Sequence, residues 1–204
     1  MKKYLKLISF LQESLIGGSI LILCFLPLLL VFYPEQVNPF INTLFAISLI
    51  SVTFVMAIRP LADLIDETNL IRPLVILRKG FGILSASIIV SFIFSKIIIG
   101  GNEYFHNYVT SAFWNIQDLS LFAHLGDITG FILLITSNVF SKRVLGKNWK
   151  RIQKLAYVYF YSGALYEFLS FQSKFALFAL ILVTGLVLSA YIKNKFKKYE
   201  NRKI

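Results

Sequence analysis

The chain has 204 residues, of which 57% are hydrophobic and 15% are charged, and its formal net charge is +11. A mean hydropathy of +0.72, with far fewer charges than the roughly 25% of soluble domains, excludes an ordinary water-soluble domain. We therefore predict an integral protein of the lipid bilayer.

Apolar segments follow one another along the chain, and six are long enough to cross a hydrocarbon core about 30 Å thick. No internal repeat or linker separates them, so we predict one domain over residues 1–204. The first segment is long enough to span and lacks a small-residue cleavage pattern, which favours a retained helix over a signal peptide. The predicted fold is all-α, with six transmembrane helices at approximately 15–33, 40–58, 80–99, 120–141, 152–171 and 175–192.

The basic residues indicate the orientation of these helices. All Lys and Arg residues except Lys96 and Lys174 fall in the N-terminus, the connections 59–79 and 142–154, and the C-terminal tail. Connections rich in Lys and Arg stay in the cytoplasm, so we predict cytoplasmic N- and C-termini and a multi-pass protein of the cytoplasmic membrane. Because the charge marks helix ends and forms no basic binding module, we expect no nucleic-acid partner.

Small residues recur at the spacing that lets helix backbones approach closely in lipid. The fourth segment contains Gly126-x-x-x-Gly130, and the third contains Gly82-x-x-x-Ala86. We predict close helix packing at both places.

Three ionisable residues interrupt the predicted helices. His124 and Asp127 are three residues apart and share a helix face, while Glu167 lies on the fifth segment at a similar outer depth. Ionisable groups at membrane depth are expensive and mark functional sites by default. Two interpretations stay open for this intramembrane polar cluster: a proton relay or polar wall around a cofactor, and an interfacial group that neutralises itself by pairing.

One stretch resembles a known family. Residues 136–157 read TSNVFSKRVLGKNWKRIQKLAY, which is similar to the signature of ferric-reductase-like transmembrane proteins, TS followed by R-x-LG-x-x-W-x-x-L-H-x-L-x-Y. Residues 78–92, RKGFGILSASIIVSF, resemble a second block of that family. The similarity covers roughly residues 40–170 and is greatest to the haem-binding membrane subunits of periplasmic methionine-sulfoxide reductase systems.

The resemblance implies a six-helix bundle that holds b-type haem through histidines on its third and fifth helices. Carried over residue by residue, those histidine positions are Phe92, Gln153 and Tyr166 in this chain, and none is histidine. Phe cannot ligate iron, Gln is at best a weak oxygen ligand, and Tyr ligates haem iron only as phenolate. His124, alone or with His106, would be the substitute ligand.

Two functions follow from these observations. We expect a divergent, haem-free family member with no cofactor, acting as a membrane scaffold or partner-binding subunit. The alternative is an oxidoreductase membrane subunit that passes electrons through b-type haem, with His124, Tyr166 and Gln153 as atypical ligands, to an extracytoplasmic acceptor. That subunit would need a separate electron donor. The expected partners are the lipid bilayer and a redox or assembly protein on one side of it.

Overall fold

The computed structural model describes residues 2–65, 71–110, 114–116 and 119–200. Within these ranges the chain is almost entirely helical and contains no strand, so the predicted all-α fold is confirmed. Arg202 and Lys203 of the predicted basic tail lie outside the described residues. The α-helices are α1 (Lys2–Phe32), α2 (Pro34–Leu64), α3 (Ile71–Leu74), α4 (Arg78–Val109), α5 (Ser120–Thr136), α6 (Val139–Leu145), α7 (Lys147–Ile152), α8 (Leu155–Phe171) and α9 (Lys174–Glu200), with a 3-10 helix at Val75–Leu77.

Four helices form the centre of the bundle. α2 packs on α4, α4 on α5, α5 on α8 and α8 on α2, while α1 covers α4 and α9 packs against α2 and α8. Alanines at the α8–α9 contact are completely buried, which lets these two helices approach closely. The main core lies between α2, α5, α8 and α9 and contains Leu49, Val52, Met56, Leu133, Tyr159, Phe160, Ala164, Ala176, Ala179 and Val183.

Several helices are long and apolar enough to cross a membrane. By length and composition there are four such stretches in the described residues, and up to five if α5 and α6 count as one broken span with a 93° bend. α8 has 17 residues, about 26 Å at 1.5 Å per residue, which is short for a core about 30 Å thick. These lengths and compositions are consistent with a membrane protein, and the number of six spans remains a prediction. The four stretches are Lys3–Phe32, Pro34–Leu64, Ile71–Tyr104 and Lys174–Lys197.

The predicted segment 120–141 is not one straight helix. α5 ends at Thr136, and α6 leaves it at 93°. Asn138 fixes the turn because its side-chain oxygen accepts from the Ser141 backbone N–H at 2.6 Å, while its amide nitrogen donates to the Ile135 carbonyl at 2.8 Å. This N-cap starts a new helix in a new direction.

The predicted segment 152–171 also differs from the structure. The chain turns at Gln153 and Lys154, so α7 ends at Ile152 and α8 begins at Leu155. In this turn the Lys154 N–H donates to the Arg151 carbonyl, three residues back, in place of the four-residue α-helical bond. The basic stretch is therefore a separate short helix joined to α8 by a tight turn.

α4 continues beyond its predicted end at residue 99. It is interrupted at Gly101, whose φ of 49° and ψ of −127° are not helical. Only glycine adopts such a backbone conformation without steric strain. After this kink the chain stays helical to Val109, so part of the connection between the predicted segments 80–99 and 120–141 is an extension of α4.

The positively charged ends of the helices meet at one end of the bundle. Arg78, at the start of α4, donates from Nε to the Val55 carbonyl of α2 at 3.0 Å and lies within electrostatic range of Tyr157 of α8. Lys193 of α9 donates to the Leu64 carbonyl at 2.9 Å, at the C-terminal end of α2 where a cation is favourable. We call this the basic end. Its cytoplasmic location remains a prediction.

Candidate functional site

Phe92, at the predicted haem position of α4, is part of an apolar contact with the first two helices. Its ring stacks on Phe45 of α2, with centroids 4.7 Å apart and planes 14° apart. It also packs against the small cluster formed by Leu26, Leu30 and Val37. Offset aromatic stacking adds to the stabilisation that burial provides, so this side chain has a packing role.

Gln153, at the second predicted position, ties the basic turn to the end of α5. Its amide nitrogen donates to the Thr136 hydroxyl oxygen at 3.2 Å. The Thr136 hydroxyl in turn donates to the Ile132 carbonyl at 2.8 Å. The half-buried amide is therefore used in joining two helices.

Tyr166, at the third position, lies near the other end of α8. Its ring makes an edge-to-face contact with Phe171, with centroids 6.1 Å apart. The three positions thus contact three different parts of the protein: Phe92 meets α2, Gln153 meets α5, and Tyr166 meets the end of its own helix.

These residues do not fit a b-type haem. Phe92 has no ligand atom, and Gln153 donates its amide nitrogen to the Thr136 hydroxyl, which leaves an amide oxygen that is at best a weak ligand for iron. In addition, a hydrogen bond between Ser85 of α4 and Tyr159 of α8 crosses the interior between these two helices, seven residues before Phe92 and Tyr166 on each.

Three hydroxyl groups meet at the centre of the bundle, and we call Ser48, Ser85 and Tyr159 the hydroxyl hub. The Ser85 Oγ lies 2.9 Å from both the Ser48 Oγ and the Tyr159 OH, and the Ser48 Oγ lies 3.5 Å from the Tyr159 OH. Ser48 Oγ also lies 3.3 Å from the Ser85 carbonyl. Each hydroxyl has one proton to donate. All three protons are used if Tyr159 donates to Ser85, Ser85 donates to Ser48, and Ser48 donates to the Ser85 carbonyl.

The hub joins three helices of the bundle. All three residues are buried, and they come from α2, α4 and α8. Buried polar groups are costly when unpaired, so rotation of one helix would be opposed by the loss of these bonds. The arrangement fixes the relative register of the three helices.

The predicted glycine motif of α5 packs beside the hub. A Cβ built on Gly130 would lie 2.9 Å from Cε2 of Tyr159, closer than real side chains approach. A Cβ on Gly126 would lie 3.5 Å from the Ser162 hydroxyl oxygen, an ordinary contact. Close packing is therefore confirmed at this motif, and Gly130 is the glycine that α8 requires. In the α4 motif, by contrast, a Cβ on Gly82 would meet Val55 at an ordinary 3.8 Å.

The structure brings two members of the predicted intramembrane polar cluster together. His124 Nδ1 lies 4.0 Å from Asp127 Oδ2 on α5, and Lys96 of α4 is within electrostatic range of both. The His124 ring meets Trp114 edge-on, with centroids 5.9 Å apart. The third member, Glu167, hydrogen-bonds with the Ser173 side chain. That serine caps α9 by accepting from the Ala176 N–H.

His106 belongs to the extension of α4 beyond Gly101, where it is exposed. Its pairing with His124 remains a prediction. In the part of the chain that the structure describes, no group of three or more His, Cys, Asp or Glu residues could hold a metal ion.

The hydroxyl hub was not predicted from the sequence. Serine is common in helices, and Tyr159 lies in an aromatic run, so neither stands out by residue type. One signal was present: Ser85 and Tyr159 each precede a predicted haem position, Phe92 and Tyr166, by seven residues. Seven residues are two helical turns, so the hub lies on the same helix faces, about 10.5 Å closer to the basic end.

Comparison with known proteins finds no matching family model, no matching curated protein and no matching solved structure. The ferric-reductase-like resemblance therefore remains a prediction that rests on the motifs in the sequence.

Proposed function

We propose that this chain is a haem-free membrane scaffold that binds a partner protein. The observation that carries the proposal is the direct Ser85–Tyr159 hydrogen bond between α4 and α8. It crosses the interior between the two helices that carry the implied haem positions, two helical turns closer to the basic end than Phe92 and Tyr166. The contacts of Phe92 and Gln153 support the same conclusion, because both side chains serve packing between helices.

A difference spectrum tests the haem-free part of this proposal. The full chain is produced in haem-replete cells, purified in detergent, and compared in its reduced and oxidised forms. We expect no b-type absorption bands from the protein, while a b-type cytochrome produced in the same cells confirms the haem supply. A stoichiometric b-type signal would support the electron-transfer alternative instead.

The second part of the proposal is that the chain binds a partner protein, and we place this binding at the end of the bundle opposite the basic end. There the extension of α4 beyond Gly101 presents Glu103, His106 and Val109 to the surroundings, all of them exposed. A kinked helix with polar side chains, beyond a long apolar stretch, is suited to contact a protein outside the bilayer. We place the partner surface on this extension.

Site-specific photo-crosslinking in cells tests that surface. A photoreactive residue at Val109, which is 85% exposed, is expected to give a discrete crosslinked protein. The matched control is Ile181 on α9, which is 64% exposed on an apolar stretch and should crosslink to lipid only. The absence of a discrete product at Val109, or the same product at Ile181, would contradict the proposed surface.

A further inference from the structure

Residues 138–154 form a bent basic segment, which we call the basic elbow. It contains α6, the junction at Gly146, α7 and the turn that leads into α8. The elbow has no Asp or Glu, and all six of its cations are exposed. They are Lys142, Arg143, Lys147, Lys150, Arg151 and Lys154.

Apolar side chains of the elbow are exposed beside these charges. Val139, Phe140 and Val144 of α6 are 68%, 73% and 67% exposed, respectively. Phe140 and Val144 are four residues apart and share a helix face. A soluble protein domain docked on α6 would have to desolvate Lys142 and Arg143 together with this face, whereas a bilayer interface accepts both kinds of side chain at once.

The direction of α6 places it along the membrane surface. α5 is apolar over its last turns, from Phe131 to Ile135, and α6 leaves it at 93°. A helix that turns by a right angle at the end of an apolar helix lies close to the plane of the interface. The apolar side chains can then enter the acyl boundary, while the Lys and Arg groups stay at headgroup level.

The elbow is fixed to the bundle through Trp149. Its indole Nε1 donates to the Thr136 carbonyl at 2.9 Å, and the Lys142 ammonium lies 5.4 Å from its ring centroid. Trp is favoured at the membrane interface because one part of it is apolar and the other donates a hydrogen bond. This anchor holds the cations at one depth rather than on a flexible tail.

We propose that the basic elbow is a binding surface for anionic phospholipid headgroups. Phosphate oxygens are the acceptors that Lys and Arg recognise, and the bilayer supplies them at the depth where α6 lies. This inference rests on the elbow alone and holds whether or not the core binds haem.

Quenching of Trp149 fluorescence by brominated lipids tests the proposal. The chain has two tryptophans, so Trp114→Phe leaves Trp149 as the single reporter. The full-length protein is placed in nanodiscs that contain brominated phosphatidylglycerol or, at the same mole fraction, brominated phosphatidylcholine. We expect phosphatidylglycerol to be enriched at Trp149 by about fivefold or more, the effect of one basic residue near an anionic surface.

Charge variants distinguish the contribution of the elbow's cations from that of cations elsewhere in the protein. Arg143→Gln, Lys147→Gln and Lys150→Gln together should lower the enrichment severalfold, because three of the six phosphate-binding cations are removed. The matched control removes the same charge elsewhere, by Lys3→Gln, Lys6→Gln and Lys195→Gln, and should keep the enrichment. Circular dichroism checks that both variants remain folded.

A salt titration gives a second readout that needs no charge variant. Raising the NaCl concentration shortens the Debye length from about 10 Å at 0.1 M to about 3 Å at 1 M, so the enrichment should fall. Equal quenching by the two brominated lipids at low salt would overturn the proposal, as would an equal loss in the control variant. Either result would mean that the elbow has no specific site for anionic headgroups, and that its cations serve a protein partner or only the overall attraction between a basic protein and an anionic bilayer.

Discussion

The hydroxyl oxygens of Ser85 and Tyr159 lie 2.9 Å apart and connect α4 to α8 inside the bundle. Ser48 adds α2 to the same contact. Lipid provides no hydrophobic drive between helices, so their association relies on close packing and on hydrogen bonds of this kind. The hub thus explains the relative register of the three helices.

Removing the tyrosine hydroxyl tests the hub's contribution to stability. Tyr159→Phe should lower the free energy of unfolding by about 1 kcal/mol, the usual range for a hydrogen bond between membrane helices. Unfolding in detergent, followed by circular dichroism, measures the change. Tyr191→Phe is the control, because Tyr191 is 65% exposed and outside the hub, and it should leave stability unchanged. Equal effects of the two substitutions would contradict the role of the hub.

The two glycines of α5 should differ in their tolerance of alanine. Gly130→Ala places a methyl group 2.9 Å from the Tyr159 ring, and such overpacking costs about 1–3 kcal/mol. Gly126→Ala makes only an ordinary contact at 3.5 Å and should be close to neutral. Thermal unfolding of both variants in the same detergent measures the difference. If Gly126→Ala proved the more harmful, the packing of α5 on α8 would be wrong.

Gly146 should be required for the shape of the basic elbow. Its φ of 50° and ψ of −121° are strained for any residue with a side chain, at a cost of about 1–3 kcal/mol. Gly146→Ala is therefore expected to loosen the elbow and to speed tryptic cleavage after Lys147 and Lys150. Gly185→Ala is the control, since nothing lies within 4 Å of its added methyl group. Unchanged cleavage in Gly146→Ala would show that the turn does not depend on this conformation.

His124 and Asp127 of α5 should show energetic coupling. His124 and Asp127 approach to 4.0 Å, so a double-mutant cycle of His124→Ala and Asp127→Asn should give an interaction energy of about 0.5 kcal/mol or more. The same cycle between Asp127→Asn and Glu167→Gln tests the larger predicted cluster. Strict additivity of the first pair would argue against any functional unit at this face.

The all-α fold followed from the sequence because long apolar runs have few ways to satisfy their backbone groups in lipid. The positions at which the helices are broken could not be predicted from the sequence. The bend after α5 depends on the side-chain bonds of Asn138, and the break before α8 depends on a tight turn at Gln153. Neither feature interrupts the apolar pattern, so periodicity alone could not locate them.

Residue type predicted the candidate site only in part. His124 and Asp127 were predicted to share a face by their spacing of three, and the structure places them side by side. The Ser48–Ser85 contact joins residues 37 positions apart and depends on the rotation of α2 against α4. That rotation is set by packing across the whole interface, which a single sequence does not display.

The central claim, a closed haem-free core, is tested most directly by titrating haem into the purified full-length protein. A ligand that binds the native state raises the unfolding temperature by mass action, so Tm and the bound haem-to-protein ratio are measured on the same samples. We predict no rise in Tm and a ratio far below one haem per chain. A stoichiometric ratio, with a Tm increase that His124→Ala abolishes, would contradict the account.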